Sequence, residues 1–243
     1  MARLPPDGPL PMCGRYTLTS SPEQVARRFG LATPVELVPR YNAAPGQEVA
    51  TIAVSSPGAV PQLELRRGGL VPAGAHDARV GARLINARSE TAAERPAFRE
   101  AFRRRRCLVP ADGFYEWDAR RAPRQPYHVA LASGEPFGIA GLWERWNGPG
   151  GERIESVALL TTVANERLRP LHDRMPAILA PADHAAWLDP GHSDPAALLP
   201  LLAPAPADAI RLRAVGLLVN DVRNDDPRCL APAPPAPVQG SLF

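Results

Sequence analysis

The chain has 243 residues, 45% of them hydrophobic and 22% charged, with a formal net charge of +3. That length and balance suit a globular protein with a substantial core, and no apolar run approaches the roughly 20 residues that a membrane-spanning helix needs. All 28 basic residues are arginine, which excludes a Schiff-base lysine and a P-loop lysine.

Residues 1–12, MARLPPDGPLPM, are rich in proline and lack the continuous apolar stretch of a secretory signal. They read as a removable leader or a mis-assigned start, and a cytoplasmic location is expected. Met12-Cys13 reads like a second beginning of the protein. With Cys13 as its first residue, the chain would carry a free α-amine and a thiol on adjacent carbons. The stretch TSSPEQVARRFG, 19–30, predicts a helix: Ser21 caps it, Pro22 fits the first turn, Gln24 closes a capping box and Gly30 ends it. EVATIAVS (48–55) and QLELRRGGLVP (62–72) predict strands joined by a Pro/Gly turn. TAAERPAFREAFRRRR (91–106) predicts a second helix that buries Phe98 and Phe102, one turn apart.

Farther along, PYHVALA, FGIAGLWERW, SVALLTTVA and RLRAVGLLV predict short strands, and PADHAAWLD and DPAALLPLL predict short helices. Strands dominate without βαβ alternation, so the expected fold is α+β. It is a single domain over residues 13–229, built on a mostly antiparallel, partly closed β-sheet or barrel with inserted helices. Residues 230–243 predict a Pro/Ala-rich disordered tail.

The cysteines, Cys13, Cys107 and Cys229, are odd in number and form no CxxC pair. Neither a disulfide framework nor a cysteine-rich zinc site is indicated, and no metal or cofactor is expected. The RRRR run at 103–106 closes a helix, where positive charge suits the dipole, and equally suits contact with a phosphate backbone.

Four segments pack polar residues into strand-like or turn-like sequence: MCGRYT, INARSET, PADGFYEW and HDRMP. Taken singly each has an ordinary reading. Asn86 and Arg88 suit a turn, Glu116 an exposed strand position, His172-Asp173-Arg174 a solvated loop, and Cys13 a small core residue. Together, and in this order, they resemble the SOS-response-associated peptidase (SRAP) family, the abasic-site shielding proteins. RYNAAPGQ, GLVP, RRCLVPADGFYEW, AGLWE and TTVAN extend the resemblance from Cys13 to about Asn220.

The resemblance implies an abasic-site sensor that binds single-stranded DNA and is matured so that Cys13 becomes residue one. Its 1,2-aminothiol would close a thiazolidine crosslink on the aldehyde of the ring-opened site. It also implies catalytic roles for Cys13, Asn86, Glu116 and His172, and DNA contacts from Arg15, Arg88, Thr161 and Arg174. An abasic-site lyase activity stays open, and a monomer is expected. The same Cys/His/Glu set would also serve an N-terminal-nucleophile peptidase or amidohydrolase. A DNA-binding module with a structural cysteine is a third reading.

Two features depart from the family pattern. Members carry tryptophans in a W-G-L-[VI]-P-x-W segment, and here Gly68 and Gly74 stand at those places. The terminal QGSLF resembles the short peptide by which bacterial repair proteins dock on the replicative sliding clamp, with Gln239 hydrogen-bonding and Leu242 and Phe243 filling an apolar pocket.

Overall fold

The structure, a computed structural model, describes residues 14–234. Residues 1–12, Cys13 and the C-terminal residues Gln239, Leu242 and Phe243 lie outside them. Strand β1 (Tyr16–Leu18) leads into helix α1 (Pro22–Phe29), followed by β2 (Arg40–Ala43), β3 (Glu48–Ala53) and β4 (Gln62–Gly68). Then come β5 (Asn86–Arg88), α2 (Ser89–Ala92), α3 (Arg99–Arg104), β6 (Arg106–Ala111) and β7 (Gly113–Asp118). Next are β8 (Gln125–Leu131), β9 (Phe137–Asn147), β10 (Arg153–Val163), β11 (Arg174–Pro176) and β12 (Ile178–Leu179). Helices α4 (His184–Leu188) and α5 (Pro195–Leu198) precede β13 (Ile210–Ala214). No described helix is long and apolar enough to cross a membrane.

The first helix follows its local chemistry. Ser21 accepts from the Gln24 backbone N–H, the Gln24 side chain accepts from the Ser21 N–H, and Gly30 takes the left-handed conformation at φ 67°. The long helix expected over 91–106 divides instead into α2 and α3. Pro96 lies between them; it lacks an N–H and disfavours helical backbone at the residue before it. Phe98 and Phe102 are nonetheless both buried. RLRAVGLLV is a strand only as far as Ala214, and Leu217–Asn220 forms a 3-10 turn after Gly216.

Residues 230–233, expected in the tail, are bonded to the fold. Val215 bridges to Pro232, and the Ala233 N–H donates to the Ala214 carbonyl.

Five strands close a ring: β10 pairs with β4, then follow β3, β6 and β9, and β9 pairs back onto β10. The ladders are antiparallel except where β10 runs parallel to β4 and to β5. A second sheet, ordered β13-β8-β7-β1-β2, lies against this barrel. Side chains alternate across a strand, so the same strands feed two cores. Ile52, Leu108, Leu142 and Leu160 join Phe29, Phe102 and Trp187 from the helices. Val49, Val109, Ile139 and Val157 join Tyr16, Phe114 and Val129 from the second sheet.

The RRRR run divides its labour. Arg106 is buried and donates to five carbonyls, those of Phe102, Arg103, Trp187, Asp189 and His192. Arg105 pairs with Glu144 at 2.6 Å. Arg106 ties the end of α3 to α4 and the loop after it, Arg105 ties it to β9, and Arg103 and Arg104 stay exposed.

His128 on β8 lies under Gly113, where an added Cβ would fall 2.2 Å from its Nε2, and shares a 3.1 Å hydrogen bond with Thr17 Oγ1. Burial lowers its pKa from 6.5 to about 4, and burial lowers that of His184 too. The native His128 ring therefore stays neutral to about pH 4 while the unfolded chain protonates near 6.5. Stability is full above the higher value and falls as pH drops toward the lower one, by roughly 3 kcal/mol for this group. Denaturant midpoints measured across that window should decline with acid, and the decline should shrink in His128→Gln; an equal slope in both proteins would refute this assignment.

Candidate functional site

The described chain begins where the two sheets meet. Tyr16 pairs with Phe114 on β7 and with Ala43 on β2, and the Tyr115 N–H donates to the Arg15 carbonyl at 2.9 Å. This places Gly14 in the wall of a recess formed also by Tyr16, Pro45, Gly69, Ile85 and Leu159. The cavity holds about 20 Å³, space for about one water molecule. Ile85 directly precedes Asn86, and Leu159 is the cross-strand partner of Asn86.

Strand β10 organises the far side. Along one edge it hands over from β4 to β5. The Gly69 N–H donates to the Val157 carbonyl, and the Leu159 N–H then donates to the Ile85 carbonyl. Gly69 makes this exchange in the left-handed region, at φ 103°, with its backbone pressed against Gly81. In this parallel register Asn86 faces Leu159 and Arg88 faces Thr161. Along the other edge β11 returns antiparallel, with Val163 opposite Arg174 and Thr161 opposite Pro176. Asn86, Arg88, Thr161, His172 and Arg174 thus come to one end of β10 from three separate segments.

Within that group the polar contacts are specific. Arg174 donates from Nη1 and Nη2 to the two carboxylate oxygens of Glu90 at 2.6 and 2.9 Å, and from Nη2 to the Thr161 carbonyl at 2.6 Å. That hydrogen bonding lowers the Glu90 pKa. The Arg174 backbone N–H donates to His172 Nδ1 at 2.8 Å. Thr161 is buried, and its hydroxyl reaches the Ala87 carbonyl at 3.5 Å. Arg88 is exposed on β5.

Glu116 and Arg15 belong to the second sheet. Glu116 is 3% exposed on β7, opposite Tyr127, and is not the exposed strand residue that alternation alone suggests. Arg15 is buried as well. Its guanidinium stacks over Trp117 at 4.6 Å, and Nη1 donates to the Asn220 carbonyl at 3.5 Å. Trp117 Nε1 donates to Asn220 Oδ1 at 2.8 Å. Burial lowers the Arg15 pKa to about 10, against the opposing pull of Tyr115, Cys229 and Asp221.

A family model described as SOS response associated peptidase (SRAP) matches residues 12–222. The chain belongs to the SRAP family. Abasic site processing protein YoqW of Bacillus subtilis is 39% identical over 224 residues, covering 90% of this chain and 99% of that protein. Abasic site processing protein HMCES of Xenopus tropicalis is 32% identical over 193 residues, 70% of this chain and 57% of that protein. A crystal structure of a protein from Bacteroides thetaiotaomicron superposes with a TM-score of 0.81 at 26% identity, covering 91% of this chain and all of that one.

The SRAP motifs map onto this geometry unevenly. Glu90 and Trp117 had no predicted role, although each lies inside a motif segment, INARSET and PADGFYEW. Their roles depend on partners 84 and 103 residues away, a separation that leaves no local signal. The two glycines at the family's tryptophan positions also differ in surroundings. A Cβ on Gly68 would meet backbone atoms of residues 45–47 at 3.4–3.8 Å, ordinary contact, and one on Gly74 would meet nothing within 4 Å. Gly69, by contrast, is required: its added Cβ would sit 2.5 Å from the Gly81 carbonyl oxygen. Gly69→Ala should cost roughly 2–4 kcal/mol through overpacking and left-handed strain, whereas Gly74→Ala should lie within about 0.5 kcal/mol of the parent. Paired denaturant titrations check the contrast.

Proposed function

We propose that the mature protein begins at Cys13 and captures abasic sites in single-stranded DNA as a covalent thiazolidine. The reading rests on family membership, on the names of the relatives and on one geometric fact: strand β1 delivers Gly14 to a recess walled by Ile85 and Leu159. Covalent geometry ties the Cys13 Cα to within about 3.8 Å of the Gly14 Cα. Continuing the β1–β7 register two residues beyond Tyr16 aligns Gly14 with Glu116. Gly14, to which Cys13 is bonded, thus lies between the Glu116 strand and the segment that leads into Asn86.

The chemistry follows from the two nucleophiles. The α-amine, with a pKa near ~8, is substantially unprotonated at neutral pH, which a lysine near ~10.4 would not be. It adds to the aldehyde carbon of the ring-opened sugar to give a carbinolamine. Loss of the hydroxyl with one proton, as water, leaves an imine. The Cys13 sulfur then bonds to the imine carbon while its proton passes to the nitrogen, closing a five-membered ring. Holding amine and thiol on adjacent carbons makes this last step intramolecular.

Glu116 and His172 are suited to the proton transfers, as base toward the amine and thiol and as acid toward the departing hydroxyl. Asn86 orients the opened sugar. Arg88, the exposed member of the β5 end, meets the phosphate backbone, with Arg15, Thr161 and Arg174 shaping the surface beneath it. Docking of Gln239, Leu242 and Phe243 on a sliding clamp belongs to the same proposal. Deleting residues 239–243 tests it by pull-down with the clamp.

The test is a denaturing gel after incubation with single-stranded DNA carrying one abasic site, with intact mass confirming Cys13 as the first residue. A heat-stable shifted band is expected, lost in Cys13→Ser and slowed at least about a hundredfold in Glu116→Gln. Peptide cleavage without any band would favour the peptidase reading. A second expectation concerns the missing aromatics. Gly74→Trp should tighten binding to intact single strands by ~1–3 kcal/mol, the worth of one stacked base. Fluorescence anisotropy would show no change if that position does not face DNA.

A further inference from the structure

The geometry points to Glu90 as a positioning residue for the His172 imidazole, acting through Arg174; the inference rests on the reading of His172 as an acid–base group. The link starts with a forked ion pair. Glu90 takes both terminal nitrogens of Arg174, and the Thr161 carbonyl takes a further N–H from Nη2. Two carboxylate oxygens and one carbonyl, all at 2.6–2.9 Å, fix the plane of the guanidinium as a single-point contact would not. The Arg174 side chain is only 11% exposed, while its partner Glu90 is half exposed at 47%.

The second half of the link runs through the backbone. Arg174 is the first residue of β11, where the ladder to β10 gives way to the loop that carries His172. Its N–H donates to His172 Nδ1 at 2.8 Å. A backbone N–H can only donate, so Nδ1 must present a lone pair and the neutral ring carries its proton on Nε2. The Asp173 carboxylate and the Arg174 carbonyl both lie 3.2 Å from Nδ1, where each can accept a hydrogen bond once that nitrogen is protonated. In its neutral tautomer the ring offers its Nε2–H as a donor. Arg174 thus contributes to placing the ring, and Glu90 contributes to placing Arg174.

A merely structural ion pair would change stability and nothing else, so the test reads the ring itself. Long-range ¹⁵N–¹H spectra of the full chain, with the His172 signals assigned by comparison with His172→Asn, report which nitrogen carries the proton. Wild type should show the Nε2–H form. Glu90→Gln, which keeps the shape and removes the charge, should show a mixture of both forms. It should also crosslink about tenfold more slowly at saturating abasic DNA, with less than about a twofold change in half-saturating DNA, the signature of a lost positioning contact. Glu90→Asp, which keeps the charge, should recover part of the rate.

An Nδ1–H ring in wild type would overturn the inference. So would a Glu90→Gln protein whose melting temperature falls while tautomer and rate stay unchanged. If wild type forms no crosslink at all, the proposed function fails, while the spectra still judge the role of Glu90.

Discussion

Two edges of one strand hold the candidate site together. Strand β10 bonds to β9 and then β11 along one side, and to β4 and then β5 along the other. The change from β4 to β5 is possible because Gly69 adopts a backbone that other residues rarely take and lets Gly81 approach without a side chain between them. The β4–β5 exchange opens the cavity beside Gly14. The β9–β11 exchange brings His172 and Arg174 back to the same end. An antiparallel meander lacking these handovers would leave Asn86, Thr161 and Arg174 on unrelated surfaces.

The all-arginine composition has structural consequences that net charge conceals. Arg15, Arg66 and Arg106 are buried, and each is held by a stacked ring as well as by hydrogen bonds or ion pairs. Arg15 lies over Trp117, Arg66 over Trp143 and Arg106 beside Trp187. A guanidinium can occupy such places because it is planar, weakly hydrated and carries five N–H donors. An ammonium group offers three donors and a stronger hydration shell, and could not reach the five carbonyls that Arg106 joins. Many of the positive charges are thus committed to the fold, which leaves attraction to phosphate with exposed arginines such as Arg88, Arg103 and Arg104.

Much of the architecture was legible along the chain. The capping box at Ser21–Gln24 and the left-handed Gly30 fix α1 from adjacent residues alone. The short apolar runs of β3, β8, β9 and β10, bounded by Gly, Pro or charged turns, announce strands. Strands of three residues, such as β1 and β5, are too short for periodicity to show, and they are the ones that carry Gly14's neighbours and Asn86. The helix drawn through 91–106 failed at Pro96, where two amphipathic halves share one apolar face without sharing hydrogen bonds. Of the site, the motif residues were readable as chemistry but not as an arrangement.

The sequence by itself determined the reactive groups on offer: a cysteine behind a methionine, no lysine anywhere, and the family motifs that set Asn86, Glu116 and His172 apart from other polar residues. These are properties of composition and local order, so no folding is needed to read them. Only the tertiary structure decided that Glu116 is buried, that Arg15 stacks on Trp117, and that Glu90 grips Arg174 across β10. Each of these depends on contacts between residues far apart in the chain. Burial and ion pairing between remote segments are set by how sheets close and strands exchange partners, and no local pattern encodes that closure.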